Sequence, residues 1–237
     1  MAFTTTLQPA VQLANLTPAE QLRAGRLGRR LPQLLVGLAL YGVSMAMMLR
    51  GGLGLMPWDV LHYGVATWLP LTFGGVVIAT GVAVLLLWIP LRQMPGLGTV
   101  ANAVVIGVAA DAALAVLVAP EGLGVRVALL AGGIVLNGLA TALYIGAQLG
   151  PGPRDGLMTG LVRRTGWSVR AVRTSIELGV VVTGWLLGGV VGIGTIAYAL
   201  AVGPLVQLML PRLIVDLSEA DAEADAEPAA EPAPCTT

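Results

Sequence analysis

The chain repeats itself at a constant offset with no gap between the copies: 155 − 59 = 96 for a pair of aspartates, and 194 − 98 = 96 for a Gly-Thr pair much further along. Leu53, Gly54, Pro57, Asp59, Leu61 and Gly64 recur as Leu149, Gly150, Pro153, Asp155, Leu157 and Gly160, a shared L-G-x-x-P-x-D-x-L-x-x-G. Gly96, Gly98, Thr99, Ala101, Ala103 and Gly107 return as Gly192, Gly194, Thr195, Ala197, Ala199 and Gly203, and Gly37, Leu40, Gly42 and Ala46 match Gly133, Leu136, Gly138 and Ala142. A unit of this length lies far outside the short periods of solenoids and propellers, and in an apolar chain it predicts a two-fold membrane fold. An odd number of spans per copy would make the copies enter the bilayer from opposite sides.

Hydrophobic residues make up 56% of the chain and charged ones 11%, with a mean hydropathy of +0.84, where an average soluble domain carries about 25% charge. Stretches of about 20 apolar residues, the length a spanning helix needs, run near Leu31 to Leu49, Phe73 to Leu91, Leu97 to Val118, Val125 to Ile145, Val169 to Leu187 and Ile193 to Leu210. The expected fold is all-α: about six transmembrane helices arranged as two inverted-topology three-span repeats. A basic N-terminal segment (1–30) precedes repeat one (31–119) and repeat two (120–215), and an acidic tail (216–237) too polar to fold follows. No A-x-A-like site follows the first span, so no cleaved signal peptide is expected.

The net charge of zero conceals an asymmetry. Seven of the 13 acids follow Val215, whereas all 13 basic residues, every one an arginine, precede it. Cytoplasmic loops are enriched in Lys and Arg, so Arg23, Arg26, Arg29 and Arg30 place the N-terminus inside. The aligned loops carry the same bias in opposite senses: Thr67, Trp68, Gly74 and Val77 correspond to Arg163, Arg164, Arg170 and Arg173, and Arg92 corresponds to Gly188. The same loop is thus basic in one copy only, as inversion requires, and the C-terminal tail falls inside as well. Arg30 and Arg126 are a shared pair and do not discriminate.

The paired L-G-x-x-P-x-D-x-L-x-x-G segments, the run from Gly150 to Leu157, the Arg-Thr-Gly at 164 to 166 and the Gly-x-Gly-Thr before the last span resemble the YczE/YyaS/YitT group of bacterial membrane proteins, closest to its YczE-like branch. The resemblance covers roughly Leu31 to Pro211. It implies a multi-pass protein of the bacterial plasma membrane and carries over no biochemical activity.

Within each repeat, Gly54 with Pro57 and Asp59, and Gly150 with Pro153 and Asp155, open a stretch of about 10 residues, too short to cross a bilayer as a helix. Proline suits a first helical turn and an aspartate there complements the helix dipole. Each stretch is either an interfacial helix or a half-helix, and inverted half-helices would aim their N-termini at one site. Asp111 and Glu177 sit inside predicted spans, with Asn102, Asn137 and Gln207 as further polar positions; intramembrane polar groups of this kind mark a pathway or a paired network. Arg173 lies four residues before Glu177, on the same helix face. Asp111 and Glu177 are expected to line a shared cavity, and the many span glycines, Gly107 and Gly203 among them, to allow close helix contact. Trp68, Trp88, Trp167 and Trp185 fall near span ends, as interfacial anchors do.

His62 is the only histidine and has no ligand set around it, so neither a metal nor another cofactor is expected. With no nucleophile and base in view, no enzyme is expected either. The expected partners are the lipid bilayer and a small solute or ion, and not nucleic acid. The sequence therefore supports a small-solute transporter or channel. The other reading is a non-transporting accessory, scaffold or regulatory membrane protein, with the Arg163 to Arg173 loop and the acidic tail as its contacts.

Overall fold

The computed structural model describes residues 17–217, within which the secondary structure is helical throughout. After a one-turn helix α1 (Pro18–Arg23) come α2 (Leu27–Gly51), α3 (Pro57–Ala66), α4 (Phe73–Leu91), α5 (Leu97–Val116), α6 (Leu123–Gly146), α7 (Pro153–Thr165), α8 (Val169–Leu186) and α9 (Ile193–Leu213). The first residues of α2 to α5 and of α6 to α9 differ by 96 in every case, so the sequence repeat is a structural repeat of four helices. The Thr17/Glu20 capping box opens α1, and the backbone N–H of Thr17 holds the Glu20 carboxyl below its ordinary pKa. The acidic tail from Ser218 onward lies outside the described residues.

Helices α2, α4, α5, α6 and α9 are long and apolar enough to cross a bilayer. The expected sixth span exists as α8, but its 18 residues carry Arg170, Arg173 and Glu177 in the first half. Three charges in so short a helix keep it from qualifying, and among the described residues five helices rather than six are long and apolar enough to span.

The core is the crossing of α2 with α6. A Cβ on Gly37 would fall 2.9 Å from the Leu143 Cβ and the Tyr144 backbone nitrogen, and one on Gly133 would fall 2.8 Å from Met48 Cγ and 3.2 Å from the Ser44 carbonyl oxygen. Subtracting 96 turns one contact set into the other, so the same glycine makes the close approach in both copies. Arg30, fully buried, donates from Nε to the Ala147 carbonyl (2.9 Å) and from a terminal nitrogen to that of Gln148 (2.7 Å). Arg126 donates likewise to Gly51 (2.8 Å) and Gly52 (2.9 Å). Each arginine, at the start of one helix, satisfies carbonyls left without an intrahelical partner at the end of the other. The first helices of the two copies are therefore antiparallel, and the shared Arg30/Arg126 pair is their reciprocal cap.

The same reciprocity holds where the copies are stitched. Gly98 N–H donates to the Leu149 carbonyl (2.7 Å) and Gly194 N–H to that of Leu53 (2.8 Å). The adjoining Gly54 and Gly150 have φ of +130° and +117°, and a Cβ on Gly54 would sit 2.7 Å from the Thr195 nitrogen. Glycine is required there by both conformation and space. The described ends of the chain lie together, with Arg26 donating to the Asp216 carbonyl at 3.2 Å and Gln33 to that of Leu213 at 2.7 Å.

The short helices α3 and α7 have 10 and 13 residues, about 15 and 20 Å at 1.5 Å per residue, about half and two thirds of the roughly 30 Å of a bilayer core. Their C-termini reach opposite ends of the bundle. Trp68, just past α3, donates to the Leu187 carbonyl at the end of α8 (3.0 Å), while Arg164 near the end of α7 donates to the Pro90 carbonyl at the end of α4 (3.2 Å). Each packs on a long helix of the other copy, with a size exchange at the contact. Gly184 of α8 presses on Val60 and Leu61 of α3, whereas on the other side Gly156 belongs to α7 and receives the Trp88 ring of α4. Trp88 is thus not an interfacial anchor: it is 2% exposed and donates from Nε1 to the Pro153 carbonyl at 3.0 Å. Trp68, Trp167 and Trp185 are exposed as anchors should be.

Candidate functional site

The N-termini of α3 and α7 meet in the middle of the bundle. Arg154, in the first turn of α7, places its guanidinium 5.1 Å from the ring centre of Trp58, in the first turn of α3, and 5.9 Å from that of Tyr41 on α2. Trp58 and Arg154 are equivalent positions of the repeat, so the contact lies across the pseudo-two-fold axis. Among the described residues the Arg154 guanidinium makes no hydrogen bond and has no carboxylate within ion-pair distance; it faces these aromatic rings and lies in the field of the Asp59 and Asp155 carboxylates.

Beside it lies a cavity of about 370 Å³, within the range of small-molecule sites. Met56, Pro57 and Trp58 from α3 and Gly152, Pro153, Arg154 and Asp155 from α7 form its inner wall, with Tyr41, Asn102, Thr141 and Tyr144 beside them. Arg173, Ile176 and Glu177 of α8 form one flank; Tyr198, Gly203 and Gln207 of α9 form the other. The polar wall is ordered by its own bonds. Tyr144 donates to Asp155 Oδ2 (3.1 Å), Tyr198 donates to Asn137 Oδ1 (2.9 Å), and Asn137 in turn donates to Ser44 Oγ (2.9 Å).

The structure brings Asn102, Arg173, Glu177 and Gln207 together around this cavity. Asn137, fully buried, stands one residue behind the wall and orients Tyr198. Asp111 does not join them. It accepts from Gly74 N–H at 2.7 Å and from the Thr72 hydroxyl, satisfying the N-terminus of α4 near the far end of the bundle, and it is absent from the cavity wall. The expected cavity shared by Asp111 and Glu177 is corrected accordingly: a helix N-terminus supplies the N–H groups and partial positive charge that stabilise an embedded carboxylate. Arg173 and Glu177 do form the i,i+4 pair, at 3.0 Å, while also facing the cavity.

The duplicated aspartates sit in the first turns of their helices and each takes a side-chain partner. Asp155 takes Tyr144; Asp59, 1% exposed, takes His62 at 3.1 Å and leaves Oδ2 without a partner. Partners and their counterparts alternate, Tyr144 with Met48 and His62 with Met158, so each copy keeps the carboxylate and supplies its polar neighbour differently. No group of three or more metal-ligating side chains occurs among the described residues.

Arg154, Trp58 and the three tyrosines escaped sequence reasoning. The tyrosines are dispersed at 41, 144 and 198, and only the alignment of Trp58 with Arg154 carried a signal, a cation and an aromatic at one repeat position.

A second, much smaller void of about 20 Å³ lies on the other side of the axis, lined by Trp58, His62, Val77, Thr80, Gly81, Val84, Asn102, Ala103 and Ile106 together with Pro153 and Arg154. Adding 96 to Val77, Thr80, Gly81, Asn102, Ala103 and Ile106 gives Arg173, Ile176, Glu177, Tyr198, Ala199 and Val202, all on the wall of the large cavity. The two voids are repeat equivalents, one open and one closed to about the space of a single water.

Residues 28–211 match a family model described as "Family of unknown function (DUF6198)", and the chain belongs to that family. It is 40% identical over 177 residues to an "Uncharacterized protein" of Haemophilus influenzae, covering 75% of this chain and 81% of the relative. It is 34% identical over 188 residues to the "Uncharacterized membrane protein YczE" of Bacillus subtilis, covering 78% and 87% respectively. No solved structure matches. These relationships agree with the YczE-like resemblance and with a membrane protein.

Proposed function

We propose that this family member is a small-solute transporter or channel of the bacterial plasma membrane, built on two inverted repeats and working without a catalytic step or cofactor. The observation that carries the reading is the meeting of two oppositely entering half-helices at a cavity of about 370 Å³ whose inner wall carries a guanidinium without a hydrogen bond of its own. Half-helix N-termini converging between inverted repeats are a known device of secondary transporters for holding solutes, and an ionisable group kept inside a membrane bundle needs a function or a partner. The arginine-rich end, with Arg23, Arg26, Arg29, Arg92, Arg163, Arg164 and Arg212, is assigned to the cytoplasm together with both termini, because charge bias orients short loops.

Uptake of a small-solute panel into proteoliposomes tests the function. Wild type should accumulate or equilibrate at least one solute faster than empty vesicles, and Arg154→Gln should abolish the difference while the protein stays folded. Identical traces for wild type, Arg154→Gln and empty vesicles across the panel would sink the reading. Orientation is tested separately in intact cells after replacement of Cys235. A membrane-impermeant thiol reagent should label a cysteine at 68 and leave one at 164 untouched.

The accessory or regulatory reading has one observation in its favour, the difference between the two voids. Alternating access between inverted repeats exchanges the conformations of the two halves, and here the closed half is sealed by glycine contacts that the open half lacks. A pair of equivalent voids of which only one is open suits a sensor or accessory subunit that binds a ligand without carrying it across. Ligand binding with no transport by the reconstituted protein would decide for it.

A further inference from the structure

The large cavity ends sideways. Equivalent helices α4 and α5 are packed together, whereas α8 and α9 barely touch. The side chains at the two crossings explain the difference. In the first copy a Cβ on Gly107 would fall 2.5 Å from the Gly74 carbonyl oxygen, and one on Gly81 would fall 3.2 Å from Ala103 Cβ. In the second copy Gly74 is replaced by Arg170 and Gly81 by Glu177, opposite Gly203 and Ala199. Both glycines that let the backbones meet have become long charged residues, and a Cβ on Gly203 meets nothing within 4 Å. The gap is therefore written into the sequence, and the cavity runs out through it toward the position lipid would occupy.

We infer that this gap is a lateral portal, and that the cavity takes an amphiphile with a phosphate head and a hydrocarbon chain, the head inside at Arg154 and the chain lying between α8 and α9. The inference rests on the proposed role of the cavity as the solute site. Arg173 stands at the α8 rim of the cavity and Arg154 at its inner end. Arg173 already has Glu177, and Asp155 beside Arg154 takes the Tyr144 hydroxyl, so the cavity cation whose donors are open to a ligand is the innermost one, Arg154. Guanidinium matches phosphate through paired donors. Val202, Gly203 and Val206 on the α9 side offer no charge, as a hydrocarbon chain requires.

Trp58 on the cavity wall supplies the readout. Protein in a neutral detergent is titrated with a single-chain alkyl phosphate brominated near its head, and in a second arm placed in neutral-lipid nanodiscs containing a phosphate-headed lipid with brominated chains. Bromine should quench saturably, and the quenching should shrink in Trp58→Phe. Quenching in the first arm only identifies a free amphiphile, in the second only a bilayer lipid, and either supports the portal. Gly203→Phe fills the gap and should weaken the chain-bearing probe about tenfold, since excluding two methylenes costs that much. Gly203→Leu, a smaller plug, guards against a folding defect in the phenylalanine variant. Inorganic phosphate, followed by calorimetry, should bind weakly and equally in wild type and both plugs. If the alkyl chain adds no affinity over inorganic phosphate, or if neither plug changes it, the portal is overturned while the solute cavity stands. Absence of binding by every phosphate probe overturns the inference, and the uptake panel then judges the cavity alone.

Discussion

The helix pairs α4/α5 and α8/α9 occupy equivalent places in the two copies, yet one is sealed and the other is parted. Everything that defines the path of the chain is common to both: the helix starts, the glycines of the α2/α6 crossing, and the arginine caps at 30 and 126. At this crossing the difference lies on one face of α8, where Arg170, Arg173 and Glu177 stand in place of the Gly74, Val77 and Gly81 of α4. The same architecture occurs twice, and a few side chains along one helix separate the open void from the closed one. The closed void holds about 20 Å³ and the open one about 370 Å³.

The comparison breaks most directly at its glycines. Gly107→Leu forces a side chain into the Gly74 backbone and should destabilise by about 1–3 kcal/mol or more, the cost of overpacking. Gly203→Leu points into open space and should stay within about 0.5 kcal/mol. Thermal unfolding in a mild detergent, both variants against wild type, reads the difference. Equal losses would show that the α8/α9 gap closes in solution.

Next in size is the contrast between the shared arginines. Arg30 is fully buried and spreads its donors over Ala147, Gln148, Gln21 and Gly25, whereas the half-buried Arg126 serves Gly51 and Gly52. Hydrogen bonds to a charged group contribute about 1.5–3 kcal/mol each. Arg30→Gln should therefore lower the unfolding temperature more than Arg126→Gln in the same detergent. A larger loss at Arg126 would contradict the burial that separates the two caps.

Asp111 sharpens the comparison by function. Its counterpart is Gln207, which faces the cavity while Asp111 ties down the start of α4. Loss of a helix cap costs about 0.5–2 kcal/mol, so Asp111→Leu should show that loss in stability. Asp111→Asn should leave ligand binding and uptake as in wild type. A change in the pH dependence of uptake on Asp111→Asn would return this carboxylate to the transport path.

How far the sequence reached follows the same division. The repeat, the helix boundaries and the two short helices are legible because glycine, proline and apolar periodicity are local signals. Which glycines press on a neighbour was not legible: Gly107 and Gly203 occupy the same motif position, and only the residue across the crossing, Gly74 or Arg170, separates contact from gap. Asp111 was misplaced for a related reason. A carboxylate within an apolar run reads as a cavity residue unless the N-terminus it caps, 37 residues away through Gly74, is in view. Arg154 carried little weight in sequence because its aromatic contacts come from Tyr41 and Trp58, on two other helices.

The smallest expected effect concerns the Arg173–Glu177 pair, whose first-copy counterparts are Val77 and Gly81. Both side chains are substantially exposed, 59% and 38%, and an exposed i,i+4 pair contributes about 0.3–0.5 kcal/mol. A double-mutant cycle with Arg173→Gln and Glu177→Gln should give a coupling energy no larger than that. Glu177→Gln keeps the length of the side chain, so the α8/α9 gap remains while Arg173 loses its counter-ion and becomes a second free cation at the rim. Binding of the alkyl phosphate should then tighten at low salt, with the gain fading as ionic strength rises. Glu177→Gly instead restores the first-copy residue and should let α8 approach Ala199, reducing access to Trp58. Opposite signs for these two changes at one position would mean that charge and bulk act separately there, as the contrast with Gly81 requires. Two changes of the same sign would leave the ion pair, and not the missing glycine, as what keeps the second void open.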